Sequence, residues 1–125
     1  SKCSEIRKTD LSSEEKIKNI FLFFIIFLEK NKGFARILSR EALSSDEQNV
    51  TDAVNQFFER LELNIKQILA EDPNKLIVQP GISAQLIVTL LEGTVSRYIR
   101  SKFKEAPSSY SENIWKLAVL ATFKD

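Results

Sequence analysis

Histidine is absent from the 125 residues, and so is methionine, even at position 1. Without His there is no imidazole base, no proton shuttle near neutral pH and no zinc site built on imidazole. The single cysteine, Cys3, excludes an internal disulfide and a paired-cysteine metal site, so no metal is expected and a reducing compartment fits. The missing methionine makes the chain read as a piece of a longer protein, or as one lacking its natural start. Glycine and proline number three each, which disfavours a turn-rich all-β fold and suits long helices. Neither sign of charge dominates: 18 Lys and Arg face 17 Asp and Glu, net +1, so no overall field holds nucleic acid or an anionic lipid surface. No apolar run reaches the length of a membrane span, about 20 residues. The nine residues from Ile20 to Leu28 are flanked by Lys16, Lys18, Glu29 and Lys30 and read as a buried helix, so no membrane partner is expected. No secretory signal is visible.

What is present reads as one all-α domain. Ser12 and Glu15 have capping-box spacing ahead of a helix over 13–31, with Lys30, Lys32 and a left-handed cap at Gly33 closing it. Residues 1–8 read as the tail of an earlier helix. A short helix follows the glycine, with Phe34, Ile37 and Leu38 inward, Arg36 and Arg40 outward and Leu43 extending it. Ser44 and Ser45 are capping residues, and Asp46 and Glu47 lead the next helix. That helix, 46–70, has the clearest period: Val50, Val54, Phe57, Leu61, Ile65 and Ile68. Pro73 ends it, and "LIVQPG" reads as an extended linker. Two further helices are expected at 82–103 and 111–123.

The helix over 82–103 has two apolar faces. Ala84, Ile87, Val88, Leu91, Val95, Tyr98 and Ile99 make one; Leu86, Leu90 and Gly93 make the other. Glycine costs about 1 kcal/mol inside a helix, so Gly93 suggests a close neighbour there. The last helix carries Ile114, Trp115, Leu117, Ala118, Leu120, Ala121 and Phe123, more apolar surface than a peripheral helix of one small chain needs. A homodimer interface is therefore expected over Leu86, Leu90, Gly93, Arg97, Ile114, Trp115, Leu117, Ala118 and Ala121, with Arg97 compensating the helix dipole or pairing with Glu92 or Glu112. Phe21, Phe23, Phe24 and Phe27 are spread around their helix, so core packing takes most of them and a partner groove takes one. Glu92 lacks the second group that acid–base catalysis needs, and Cys3 has no nearby base. No cofactor loop is present. No enzyme is expected.

The segments "LLEGTVSRYIRSKFKEAP", "IWKLAVLA", "EKNKGFARIL" and "VNQFFERLELNIKQIL" together resemble the C-terminal domain of TetR-family nucleoid occlusion factors, over nearly the whole chain. The resemblance implies a TetR-like regulatory domain over 1–125, of about five helices, dimerised through its last two as a four-helix bundle. It implies a DNA-binding helix-turn-helix domain on the N-terminal side, outside this chain, and a cytoplasmic protein associated with the nucleoid. In that family the DNA-bound dimer opposes assembly of the division protein FtsZ over the chromosome. The FtsZ C-terminal tail lies in a groove between the helix that links the two domains and the helix after it. Motif matching carries that role to Phe23, Lys30, Asn31 and Lys2, while Ile26 stands where the family tends to have a small residue. The alternative is the ligand-sensing domain of a TetR-family repressor, which a cavity of roughly several hundred Å³ would favour. The bulky phenylalanines argue instead for a filled interior.

Overall fold

The computed structural model describes residues 2–39 and 48–125. The expectations placed on Arg40, Leu43, Ser44, Ser45, Asp46 and Glu47 lie outside the described residues. Six α-helices follow in order: α1 (Lys2–Arg7), α2 (Ser13–Lys30), α3 (Lys32–Ser39), α4 (Gln48–Leu69), α5 (Pro80–Arg100) and α6 (Ser111–Thr122). Short 3₁₀ turns at Pro73–Lys75 and Pro107–Ser109 precede the last two. Among the described residues the α-helices number six where about five were expected, and the helix tail expected over residues 1–8 is present as α1.

The start of α2 follows from its sequence. The Ser12 hydroxyl accepts a hydrogen bond from the Glu15 N–H at 3.2 Å, and the Glu15 carboxylate accepts from the Ser12 N–H at 3.4 Å. Ser12→Ala leaves one of the orphan N–H groups at this end unsatisfied and is expected to cost about 1 kcal/mol, read as a lower urea midpoint at unchanged slope. The other end departs from expectation. Asn31 closes α2, its N–H reaching Leu28 O, and Gly33 lies inside α3 without a positive φ.

α4 and α5 form the long pair of the fold, joined by a ten-residue link that returns the chain antiparallel. The α4 stripe expected from its period is buried at Val54, Leu61, Ile65 and Ile68. Pro80 and Gly81 belong to α5 as its first turn, not to the linker; a proline there lacks only an N–H that would have had no helical partner. The linker itself is pinned to the end of α6: Ile77 N–H donates to Thr122 O at 2.9 Å and Lys124 N–H to Lys75 O at 2.7 Å, around an antiparallel bridge between Leu76 and Phe123.

α2 runs through the centre, touching α1, α3, α4, α5 and α6. Its inward side, Ile17, Phe21, Ile25 and Leu28, is sealed from water. Phe21 meets Trp115 of α6 with ring centroids 5.5 Å apart. One charge lies inside this packing. Lys16 is 6% exposed, and its Nζ donates to Glu71 Oε1 at 2.9 Å and to Arg7 O at 3.0 Å. The two bonds offset its desolvation and clamp the end of α1 onto α2 and the α4 exit. The second contact places a cation on the terminal carbonyls of α1, where the dipole favours it.

α5 ends in an unusual way. Lys102 and Phe103 both have positive φ, 57° and 64°. Phe103 N–H donates to Tyr98 O and Lys102 N–H to Ile99 O, the paired bonds of a Schellman cap. The Phe103 ring packs edge-on against Tyr98 at 5.0 Å, and Lys32 and Arg36 of α3 lie over it. Lys102 thus occupies the place where glycine is usual. Lys102→Gly relieves the left-handed strain but loosens the unfolded chain; the expected net gain is about 0.5–1 kcal/mol in a denaturant melt.

Candidate partner groove and apolar pocket

α2 is too apolar for one chain to cover all round. Its four central phenylalanines divide by angle: Phe21 and Phe24 face the core, while Phe23 and Phe27 are 42% and 40% exposed. Two aromatics are thus left outside, where one was expected. Ile26, at 50%, lies on the same side. With exposed Lys30 and Asn31, these residues recur at steps of three and four and form one continuous face. The Asn31 Nδ2 donates to Phe27 O at 2.8 Å, which holds that amide against the last turn. At the other end of the face, Lys2 of α1 sets its Nζ 5.4 Å from the Phe23 ring centroid. Phe23 and Lys2 are therefore brought together, whereas Lys30 and Asn31 stand further along the same helix, roughly 10 Å by the helical rise.

Behind Phe23 is a pocket of about 300 Å³. Lys2, Cys3 and Ile6 of α1, Ile20, Phe23, Phe24 and Phe27 of α2, Phe34 of α3, and Phe57 and Leu61 of α4 line it. The pocket is open to solvent and lies beside a filled core, in which Phe21, Ile25 and Leu28 are sealed. The rings stack on one another as walls: Phe23 on Phe27 at 6.1 Å, Phe27 edge-on to Phe34 at 5.0 Å, Phe34 edge-on to Phe57 at 5.7 Å. An aromatic that spends its faces on other aromatics leaves space that a flexible aliphatic would have collapsed into. Burial pushes the Cys3 thiol pKa up, which keeps it a neutral thiol near pH 7. Phe34, Phe57 and Leu61 read in the sequence only as apolar helix positions, because helical spacing marks an apolar residue without saying whether its far side meets protein or a void.

The second face lies on α5 and α6. Leu117 and Leu120 are 62% and 68% exposed, Ala121 is exposed, and Ile114, Leu86 and Leu90 are partly covered. Gly93 is open: a Cβ built there meets nothing within 4 Å, so no neighbour among the described residues explains the glycine. Arg97 is exposed and pairs with Glu105 at 3.3 Å, not with Glu92 or Glu112. Trp115 and Ala118 correct the expectation drawn for them. They are 4% and 3% exposed and turn into the chain's own core, Trp115 against Phe21. Trp115 lies two residues before Leu117, and Ala118 two before Leu120, so they share the helix with the exposed leucines but not the face. Among the described residues, no cluster of three or more metal-ligating side chains forms and no helix is long and apolar enough to cross a membrane.

Known proteins share both the sequence and the shape. The nucleoid occlusion factor SlmA of Vibrio vulnificus is 31% identical over 121 residues, 94% of this chain and 62% of that protein. SlmA of Vibrio campbellii is 35% identical over 107 residues, 82% of this chain and 55% of that protein. SlmA of Yersinia pseudotuberculosis is 28% identical over 123 residues, 95% and 62%. The chain thus spans about three-fifths of the length of these relatives. The transcriptional regulator FadR from Bacillus subtilis, solved in complex with stearoyl-CoA, superposes with a TM-score of 0.77 over 95% of this chain and 66% of that one, at 17% identity, and so shares the fold. Residues 12–121, which hold α2 to α6 and both exposed faces, match the SlmA-like family (Tetracyclin repressor-like, C-terminal domain), and the chain belongs to that family of non-enzymatic regulatory domains.

Proposed function

We propose that this chain is the dimerisation and partner-binding domain of a DNA-binding nucleoid occlusion factor that inhibits FtsZ assembly over the chromosome. The observation that carries this reading is the exposed face of Phe23, Ile26 and Phe27, bounded by Lys2 at one end and by Lys30 and Asn31 at the other. An apolar strip with cations at its ends fits a peptide that is both acidic and hydrophobic, as the FtsZ C-terminal tail is expected to be. The α5–α6 face joins two copies about a two-fold axis, and that spacing positions two helix-turn-helix domains, N-terminal to this segment, on half-sites of DNA. The protein would then act in the cytoplasm, on the nucleoid. No cofactor enters this function.

Titration with a fluorescently labelled FtsZ tail peptide, read by anisotropy, tests it. Saturable binding is expected, weakened about tenfold or more by Phe23→Ala and again by Lys30→Glu. Absence of any shift up to the peptide's solubility limit removes the division role from this domain.

A second reading has its own observation. The pocket of about 300 Å³ behind Phe23 lies at the lower end of the size range of small-molecule sites. It supports a ligand-sensing domain of a TetR-family repressor.

A further inference from the structure

We infer that the pocket behind Phe23 takes an apolar hydrocarbon chain ending in a carboxylate, and that this occupant competes with the peptide held on the outer face of α2; the competition, though not the binding, rests on the partner-binding reading above.

The chemistry of the lining selects the ligand. Ile6, Ile20, Phe24, Phe57 and Leu61 present carbon only. A water inside would find few of the two to four polar partners it needs, so an apolar occupant is favoured. Among the described residues, one charged side chain stands at the rim, the ammonium of Lys2. Its present contacts are weak: Glu5 at 3.9 Å, with both side chains more than half exposed, and the face of Phe23 at 5.4 Å. Among the described residues, no carboxylate lines the pocket to repel an anion. A ligand whose chain lies among the rings and whose head meets Lys2 satisfies both features at once.

Competition follows from two shared groups. Phe23 lines the pocket, is 42% exposed in all, and shares the helical face of Ile26 and Lys30, so one ring serves both. Among the described residues, Lys2 is the one cation that lines the pocket, and it also stands by Phe23 at that end of the outer face. A carboxylate that holds Lys2, over a chain that presses on Phe23, lowers the affinity for an acidic peptide, and linkage makes the effect mutual.

Cys3 supplies the readout, since it is the one cysteine of the chain and it lines the pocket. The rate of its reaction with a small thiol reagent is measured against dodecanoate, kept below its micelle concentration, with dodecanol as the neutral probe. Dodecanoate is expected to slow the reaction saturably, by about tenfold or more at full occupancy. Lys2→Glu is expected to raise the half-saturating dodecanoate concentration about tenfold and to leave that of dodecanol in place. Leu61→Phe, which shrinks the pocket, abolishes protection by both; should it fail to fold, Lys2→Glu still decides. Unchanged Cys3 reactivity with both probes overturns the assignment, and equal protection of the parent and Lys2→Glu by dodecanoate overturns the carboxylate. Labelled FtsZ tail peptide is then displaced by dodecanoate. Peptide binding indifferent to saturating dodecanoate overturns the competition. A peptide that never binds while Cys3 is still protected removes the partner reading and leaves the pocket assignment standing.

Discussion

Phe21→Ala will destabilise the domain by about 3–5 kcal/mol, and Phe23→Ala, two residues along the same helix, by less than about 1 kcal/mol. Phe21 has no exposed surface and meets Trp115 at 5.5 Å, so its removal leaves a cavity where α2, the central helix, is joined to α6. The loss includes both the transfer energy of the ring and the unfilled volume. Against a total stability of about 5–15 kcal/mol, such a loss lowers the melting temperature by more than about 10 °C. Phe23 is 42% exposed and borders a pocket that is already open, so truncation there creates little new void. Trp115 is the one tryptophan of the chain, and its emission is expected to shift to the red in Phe21→Ala and to stay in place in Phe23→Ala. Denaturant melts and emission spectra of the two variants make the comparison. Equal costs would mean that α2 is rotated from the orientation described here, and the outer face would be lost with it.

The contrast between these two residues also shows what was legible in the sequence. Period and caps placed α2, α4 and α6 within two residues at the ends that are described, because a capping box such as Ser12–Glu15 is a local interaction whose partners are three residues apart. The spread of phenylalanines around α2 was also readable, since a helix buries only part of its circumference against any one neighbour. Local signals misled where the backbone could do the same work with other residues. Gly33 stays helical, and the left-handed turn falls on Lys102 and Phe103, held there by the Tyr98 contact and by two cations from α3 that are distant in sequence. Trp115 and Ala118 have the same period as Leu117 and Ala121, and only the packing of α6 on Phe21 tells inward from outward. The pocket was invisible for a related reason. Composition counts rings, but whether they fill space or wall it depends on how four helices cross.

Those same outward residues carry the second large effect. Leu117→Glu with Leu120→Glu is expected to turn the proposed dimer into a monomer, raising its dissociation constant about a thousandfold if each leucine is worth about 2 kcal/mol at a desolvated contact. Both side chains are more than 60% exposed, so the folded chain itself loses little, and the melting temperature measured below the dissociation constant should hardly move. Gly93→Leu tests the other half of the surface. It has open space on its own chain, so an added side chain fits the monomer and obstructs only a second copy that approaches α5 closely. The mass in solution, from light scattering or sedimentation across a concentration series, reads all three. Retention of the dimer by Gly93→Leu alone places that glycine outside the contact while leaving the α6 leucines in it. A parent chain that stays a single subunit at micromolar concentration, with Leu117 and Leu120 wet, removes the dimer and with it the fixed spacing that would let two DNA-binding domains act together.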